Sequence, residues 1–387
     1  MNHTYRLLWN HARKAWVVVG ETARNHSKNN GRGLVLAVAL MSSAAQGGPT
    51  GGEVIAGTGD ISQSGTTTTI NQNSSNLSVN WQSFNVGTQE TVNFIQPTPT
   101  ATAVNRILDS NGSHIMGNIN ANGQVILVNP NGVIFGQNSQ VNVRSLVATT
   151  LDVQNTNLNN GKITFAGNGA GSIVNQGQLN ASQGGYVALI GNQVDNQGSI
   201  NTPQGTTAMG AGNKVSLTFA NNNLIQLKVE QSVLNSQVSN GGIIKAGGGI
   251  VLLSAGAKNA LMASIVNNTG IIEATSLGQQ TGNIILLAGM EAGHTIVSGS
   301  LDAGAPDQGD GGFIETSAAK VTIEKTATIS TKAAEGHSGT WLIDPVDFTI
   351  AASGGDMTGA TLTSNLASNN VIIQSTSGGS GTAGDLN

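Results

Sequence analysis

The chain has 387 residues, 53 of them Gly, with no Cys, 3% aromatic and 9% charged residues, and a net charge of −4. So low a charge fraction is not that of a typical disordered chain, and so few rings argue against a bulky globular core. Small and β-branched residues with many Gly and Asn suit a narrow stack of short strands with tight corners.

The charge is unevenly placed. Residues 1–45 hold six Lys/Arg and one acid, so the rest carries −9, from ten bases and nineteen acids. That balance argues against general nucleic-acid binding, which wants a basic face. Arg6, Arg13, Lys14, Arg24, Lys28 and Arg32 precede an apolar run at 34–41, and the small residues Ser42, Ser43, Ala44 and Ala45 follow. This order marks an export signal, with cleavage expected around Ala44, Ala45 and Gln46. The run is too short to span a bilayer as a helix. Residues 1–24 resemble the extended signal-peptide region of large Gram-negative exported proteins, in Tyr5, Arg6, Trp9, Asn10, Trp16, Val17, Glu21 and Arg24. The resemblance implies an extension that slows inner-membrane export. An amphipathic helical anchor is the alternative reading.

Residues 47–118 read as short polar strands and turns, alternating around Ile70, Leu77, Val79, Trp81 and Phe84. They are expected to form an N-terminal cap and the first coils of a solenoid, which needs its first edge covered.

Apolar residues then run from Val125 to Val128, break at Asn129-Pro130-Asn131-Gly132, and resume at Val133. Pro in second place presets φ, Asn tolerates turn geometry in first and third place, and Gly suits the fourth. The pattern predicts strand, type I turn, strand. The stretch "GQVILVNPNGVIFGQNSQVNVRSLVATTLD" resembles the core of the secretion domain of two-partner-secretion exoproteins, the filamentous-haemagglutinin-like adhesins. "WQSFNVG", "VNFIQP" and "AVNRIL" resemble that family's approach to its core. The family's second motif, Asn-Pro-Asn-Leu, is missing; "IQPTPTATAVN" stands near that place, which resembles the adhesin branch. The resemblance implies that residues 129–132 belong to a secretion signal read by an outer-membrane partner. Alternatively, the turn only closes a hairpin on which the N-terminal fold depends. The absence of Cys fits a chain that must cross a pore unfolded, and equally a repetitive core that needs no staples.

From about residue 119 the chain repeats. Asn175-Gln176-Gly177-Gln178-Leu179 returns as Asn196-Gln197-Gly198-Ser199-Ile200 after 21 residues. Later a small residue recurs at Ala246, Ala274, Ala303 and Thr331, in steps of 28, 29 and 28. Such a period with Gly/Asn corners reads as all-β, a right-handed parallel β-helix with an N-terminal cap and extra-helical excursions. Roughly 11–14 rungs at about 4.8 Å make a rod of about 50–65 Å. Asn175 and Asn196 are expected to stack as a side-chain ladder. Residues 213–240 break the pattern, with a strand at Ile225, Leu227 and Val229 and then a polar stretch read as a short helix. They are expected to lie outside the stack. The Gly/Ser-rich end, from 351, shows no recognisable cap.

The domains expected are therefore 1–45 extended signal peptide, 46–300 secretion domain, 301–350 continuing rungs, and 351–387 the start of a truncated downstream region. No catalytic residues, cofactor or metal site is expected. His114, His294 and His337 are far apart and read as solvated loop residues; His3, His11 and His26 fall in the leader. Asp307 to Gly312 faintly resembles a single calcium repeat, but reads better as a corner loop. The resemblance implies a non-enzymatic, secreted or surface-exposed protein of a Gram-negative bacterium. Its partners would be the Sec export machinery, then a cognate outer-membrane β-barrel transporter with periplasmic polypeptide-transport domains. A host or neighbouring cell surface would be met through a downstream region, and nucleic acid not at all. The stalk of a contact-dependent growth-inhibition toxin, a cytolysin, and a polysaccharide-cleaving β-helix enzyme are the alternatives.

Overall fold

The computed structural model describes residues 48–154, 161–219, 224–256 and 264–375, and the backbone of 5–10 and 15–20. The expected cleavage residues Ala44, Ala45 and Gln46, and the apolar run at 34–41, lie outside the described residues. The chain divides into two compact units, 1–45 and 46–387. In the first, strands Tyr5–Asn10 and Ala15–Gly20 pair antiparallel.

The second unit is a parallel β-helix. Its coils run through three sheets of twelve, eight and eleven strands. One coil shows the route: Gln124–Val128 lies in the twelve-stranded sheet, Val133–Phe135 in the eight-stranded sheet, and Gln140–Val143 in the eleven-stranded sheet. Ser145–Thr149 then returns to the first, parallel to Gln124–Val128. At about 4.8 Å per strand, the twelve-stranded sheet extends on the order of 50 Å.

Alternation of side chains sends one set inward along every strand. The result is one continuous aliphatic column, from Ile70 and Leu77 through Val125, Leu189, Ile200 and Val251 to Ile329 and Ile343. Larger rings sit towards its ends. Trp81 and Phe84 meet edge-on near the start, with ring centroids 5.4 Å apart. Trp341 and Phe348 are buried near the other end. The start is covered by antiparallel pairs, Glu53–Ala56 on Asn76–Trp81 and Gly59–Ser64 on Thr67–Gln72, so the first rung leaves no free inner edge. At the other end stands a helix, Gly359–Leu366, that composition did not suggest. Asn365 Oδ1 accepts from the Ile329 amide, and Asn369 Nδ2 donates to the Ile329 carbonyl, so side chains bond one edge strand.

The repeat seen in the sequence is the structural coil. Asn175 pairs in register with Asn196, as the 21-residue spacing requires. Their side chains stack in the dry interior, and the ladder continues: Asn175 Nδ2 donates to Asn196 Oδ1, Asn196 to Asn240, and Asn240 to Asn268, each at 2.7 Å. Beside it, Gly198, Gly242, Gly270 and Gly299 pack against the carbonyl of the equivalent Gly one coil earlier, where a Cβ would collide. Ala246, Ala274, Ala303 and Thr331 are buried at another corner.

Within 213–240 the chain does leave the stack, and among the described residues there it does so without a helix. Lys214–Phe219 and Ile225–Gln231 are antiparallel strands, and Ser236–Asn240 is already back in the eight-stranded sheet. The polar stretch lacks a capping residue followed by an apolar helical period. It closes instead as a turn at Asn235, whose φ is +60°. The excursion also has partners that the sequence did not reveal. Asp152–Val153 and Lys162–Ala166 complete a four-stranded antiparallel sheet. Its apolar side covers the outward face of the twelve-stranded sheet, burying Ile163, Phe165, Val215 and Leu217 against Ile126, Val147, Ala188 and Ile190. This second core explains why those rungs read as unbroken apolar runs rather than alternating ones. Tyr186 is buried in it, its hydroxyl donating to Gln124 Oε1 at 3.0 Å. Desolvation pushes that phenol far above the ordinary tyrosine range.

Candidate functional site

Asn129, Pro130, Asn131 and Gly132 form a tight turn closed by a hydrogen bond from the Gly132 amide to the Asn129 carbonyl, 2.9 Å. Asn131 is not among the residues with positive φ, which excludes the type II and I′ geometries. The flanking strands do not pair with each other. Gln124–Val128 bonds to the twelve-stranded sheet and Val133–Phe135 to the eight-stranded one. The turn is therefore a corner of the coil and closes no hairpin. Parallel neighbours above and below pair with each flanking strand instead.

The four residues divide sharply. Asn129 is fully buried, while Pro130 and Asn131 are exposed. The Asn129 carboxamide is fully engaged. Its Oδ1 accepts from the Asn131 amide at 2.9 Å, and its Nδ2 donates to the Asn111 carbonyl at 3.1 Å and to Ser113 Oγ at 3.0 Å. Asn131 Nδ2 reaches the Asp109 carbonyl at 2.8 Å. On the following coil, the Gly171 amide donates to the Pro130 carbonyl at 3.1 Å. Gly132 has φ +104°, and a Cβ there would lie 2.7 Å from the Ser172 carbonyl, so this place requires Gly.

Sequence reasoning missed the loop 109–113 that receives these bonds. The signal was present in Asp109-Ser110-Asn111-Gly112-Ser113, a run of turn residues one coil upstream. Arg106 also belongs to this neighbourhood. It lies in register with Val128 and pairs with Asp152 of the outer sheet, Nε to Oδ1 2.9 Å.

The other candidates sit apart from this corner. His114 and His294 lie on strands of the eight-stranded sheet rather than in loops; only His337 is in a loop. His294 Nε2 is 2.8 Å from Thr322 Oγ1, and its pKa is lowered, first by burial and then by Lys320. Asp310 Oδ1 accepts from the His337 amide, tying one corner loop to the next. Among the described residues, no three His, Cys, Asp or Glu side chains converge as a metal site would need.

Residues 45–302 match the family model of the TPS secretion domain, where TPS denotes two-partner secretion. The chain belongs to that family. Residues 1–50 match the extended signal peptide of type V secretion systems. Two heme/hemopexin-binding proteins of Haemophilus influenzae are each 34% identical, over 250 and 242 residues. These matches cover 62% and 57% of this chain but only 27% and 26% of the relatives. The chain thus spans about a quarter of the length of the curated relatives it matches. The solved HMW1 secretion domain of H. influenzae shares the fold, with TM-score 0.66 and 24% identity over 88% of this chain and 84% of that one. The TPS secretion domain and its extended signal peptide make this a secreted exoprotein of a Gram-negative bacterium, exported by way of the periplasm. The family model is that of a secretion domain.

Proposed function

We propose that this secretion domain is delivered by the Sec machinery to the periplasm, where polypeptide-transport domains of a cognate outer-membrane β-barrel engage it. In this reading Asn129 and Gly132 hold the corner, and Pro130 and Asn131 present it to the transporter. What supports the division is the contrast in burial at adjacent positions: a fully bonded Asn129 beside an exposed Pro130 and Asn131. Cleavage at Ala44, Ala45 or Gln46 belongs to this reading, and is supported by a secretion-domain match that begins at residue 45 and a leader match that ends at residue 50. Rungs then form one on another outside the cell, and apolar burial at about 25 cal/mol per Å2 biases threading outward. Adhesion to a host or neighbouring cell, or the heme/hemopexin binding in the two relatives' names, is in this reading the work of sequence outside residues 45–302.

The test is co-expression with a cognate outer-membrane transporter, reading full-length protein in the medium. Pro130→Ala is expected to lower export several-fold while the thermal melt of the purified domain stays put; Asn131→Asp, which also gives up the bond to the Asp109 carbonyl, is expected to lower export by more than its loss of melting temperature explains. Asn129→Ala is expected to lower both. Export of Asn131→Asp and Pro130→Ala at the parental level would remove the recognition role and leave the corner a purely structural feature.

A further inference from the structure

The outward face of the eight-stranded sheet changes character along its length. Ile134 and Val174 stand outward in successive rungs, and Ile296 stands outward further on. Between them this column is polar in three successive rungs. Asp195, Ser239 and Asn267 form one column in register, and Gln193 and Gln237 form the column beside it. At the corner, Gln197 and Thr269 extend the same surface. Together they line a groove of about 390 Å3.

Three features narrow what this groove takes. Its polar lining is carboxamide and hydroxyl, beside Val174 and Val194, with Asp195 the sole charged side chain and no Lys, Arg or His. Some of its donors are already aimed: Gln197 Nε2 is held by Asp195 Oδ1 at 2.9 Å, and Gln237 Nε2 by Ser239 Oγ at 2.8 Å. Asn267 Oδ1 is buried at the groove with no hydrogen-bond partner, an acceptor left over by the fold. Gly241 supplies no side chain, and the Gln197 carboxamide occupies the room a Cβ there would take.

We propose that this groove binds a neutral glycan chain lying along the stack axis. Planar carboxamides and carboxylates are suited to the paired hydroxyls of a sugar ring, giving and accepting at once. Their columns repeat at about 4.8 Å, close to the length of one pyranose in a polymer, so consecutive sugars meet equivalent side chains on consecutive rungs. Asp195 accepts from neutral hydroxyls and repels uronate, sialate and sulfate groups. With no cation in the lining, anionic polymers have no counter-charge. The volume falls in the ordinary range for small-ligand sites. Apolar Val174 and Ile265 at the two ends offer a face to C–H groups of the rings.

The experiment uses the secreted chain and titrates neutral hexasaccharides (cello-, chito- and malto-series) by calorimetry and saturation-transfer NMR. Heparin and polygalacturonate run alongside. Binding of at least one neutral series, with no measurable binding of the anionic polymers, is expected. Ser239→Leu projects a side chain into the groove from an outward position, and is expected to weaken that binding at least tenfold with an unchanged circular-dichroism melt. The double variant Gln193→Ala, Gln237→Ala adds no bulk, and is expected to lose affinity too should the leucine disturb folding. Failure of all three neutral series, preference for the anionic polymers, or full binding by both variants overturns the assignment.

Discussion

Asn196 sits between two like side chains, giving to Asn240 and accepting from Asn175, and all three are excluded from water. Asn196→Ala leaves Asn240 Oδ1 without its donor and Asn175 Nδ2 with only a long bond to the Ser199 carbonyl. Each such buried group costs about 1–3 kcal/mol. The variant is therefore expected to shift the urea midpoint down markedly, whereas Gln176→Ala, at an exposed corner, stays within about 0.5 kcal/mol of the parent. The first pair of this ladder was readable, because Asn-Gln-Gly recurs intact after 21 residues. Asn240 and Asn268 were not, since an excursion separates Asn196 from Asn240 and the residues after them differ. Residues 129–132 were legible as a turn for the same local reason. That Asn129 is the buried member depends on Asn111 and Ser113 of the preceding coil, which no local pattern supplies.

The outer antiparallel sheet behaves as an element of its own. Glu230 lies across its strands, 2.8 Å from Lys162 Nζ and 3.1 Å from Lys214 Nζ, and accepts from Ser216 Oγ at 2.9 Å. These hydrogen bonds, Lys162 first, lower its pKa from the ordinary 4.5 to about 2. A carboxylate held below its unfolded value stabilises fully above that value, and the contribution is lost as pH falls through the folded one. Stability is thus expected to decline between pH 4.5 and about 2 in thermal melts, with a flatter profile in Glu230→Gln. Because the group is partly exposed, the difference shrinks in high salt. The strand at Ile225, Leu227 and Val229 was legible from alternation. Its distant partners were not. Phe165 faces Val215 across a sheet whose strands are far apart in sequence, and pairing at that range leaves no periodic trace.

The whole stack is held by nearest-neighbour pairing, rung upon rung. Gly242→Ala, in the middle, pushes a methyl into the Gly198 carbonyl of the preceding coil. Overpacking of that kind costs about 1–3 kcal/mol. In native-state hydrogen exchange the loss of protection is expected to centre on rungs around Gly198 and Gly242 and to fade towards Trp81 and Trp341. An even loss along the stack would show a single cooperative block instead.

By itself, the sequence determined the parallel coil, its step, its corners and the export-signal order of the leader. Those properties rest on residues close in the chain: inward apolar side chains every second position, and Gly or Asn where the backbone turns. Only the tertiary structure decided which face of the stack is covered and which is open. The antiparallel sheet drapes over one side, a helix covers part of one end, and among the described residues a polar column three rungs long lines a groove on another side. Such choices come from surfaces built by residues dozens of positions apart, where chain connectivity imposes no spacing and burial alone selects the partner.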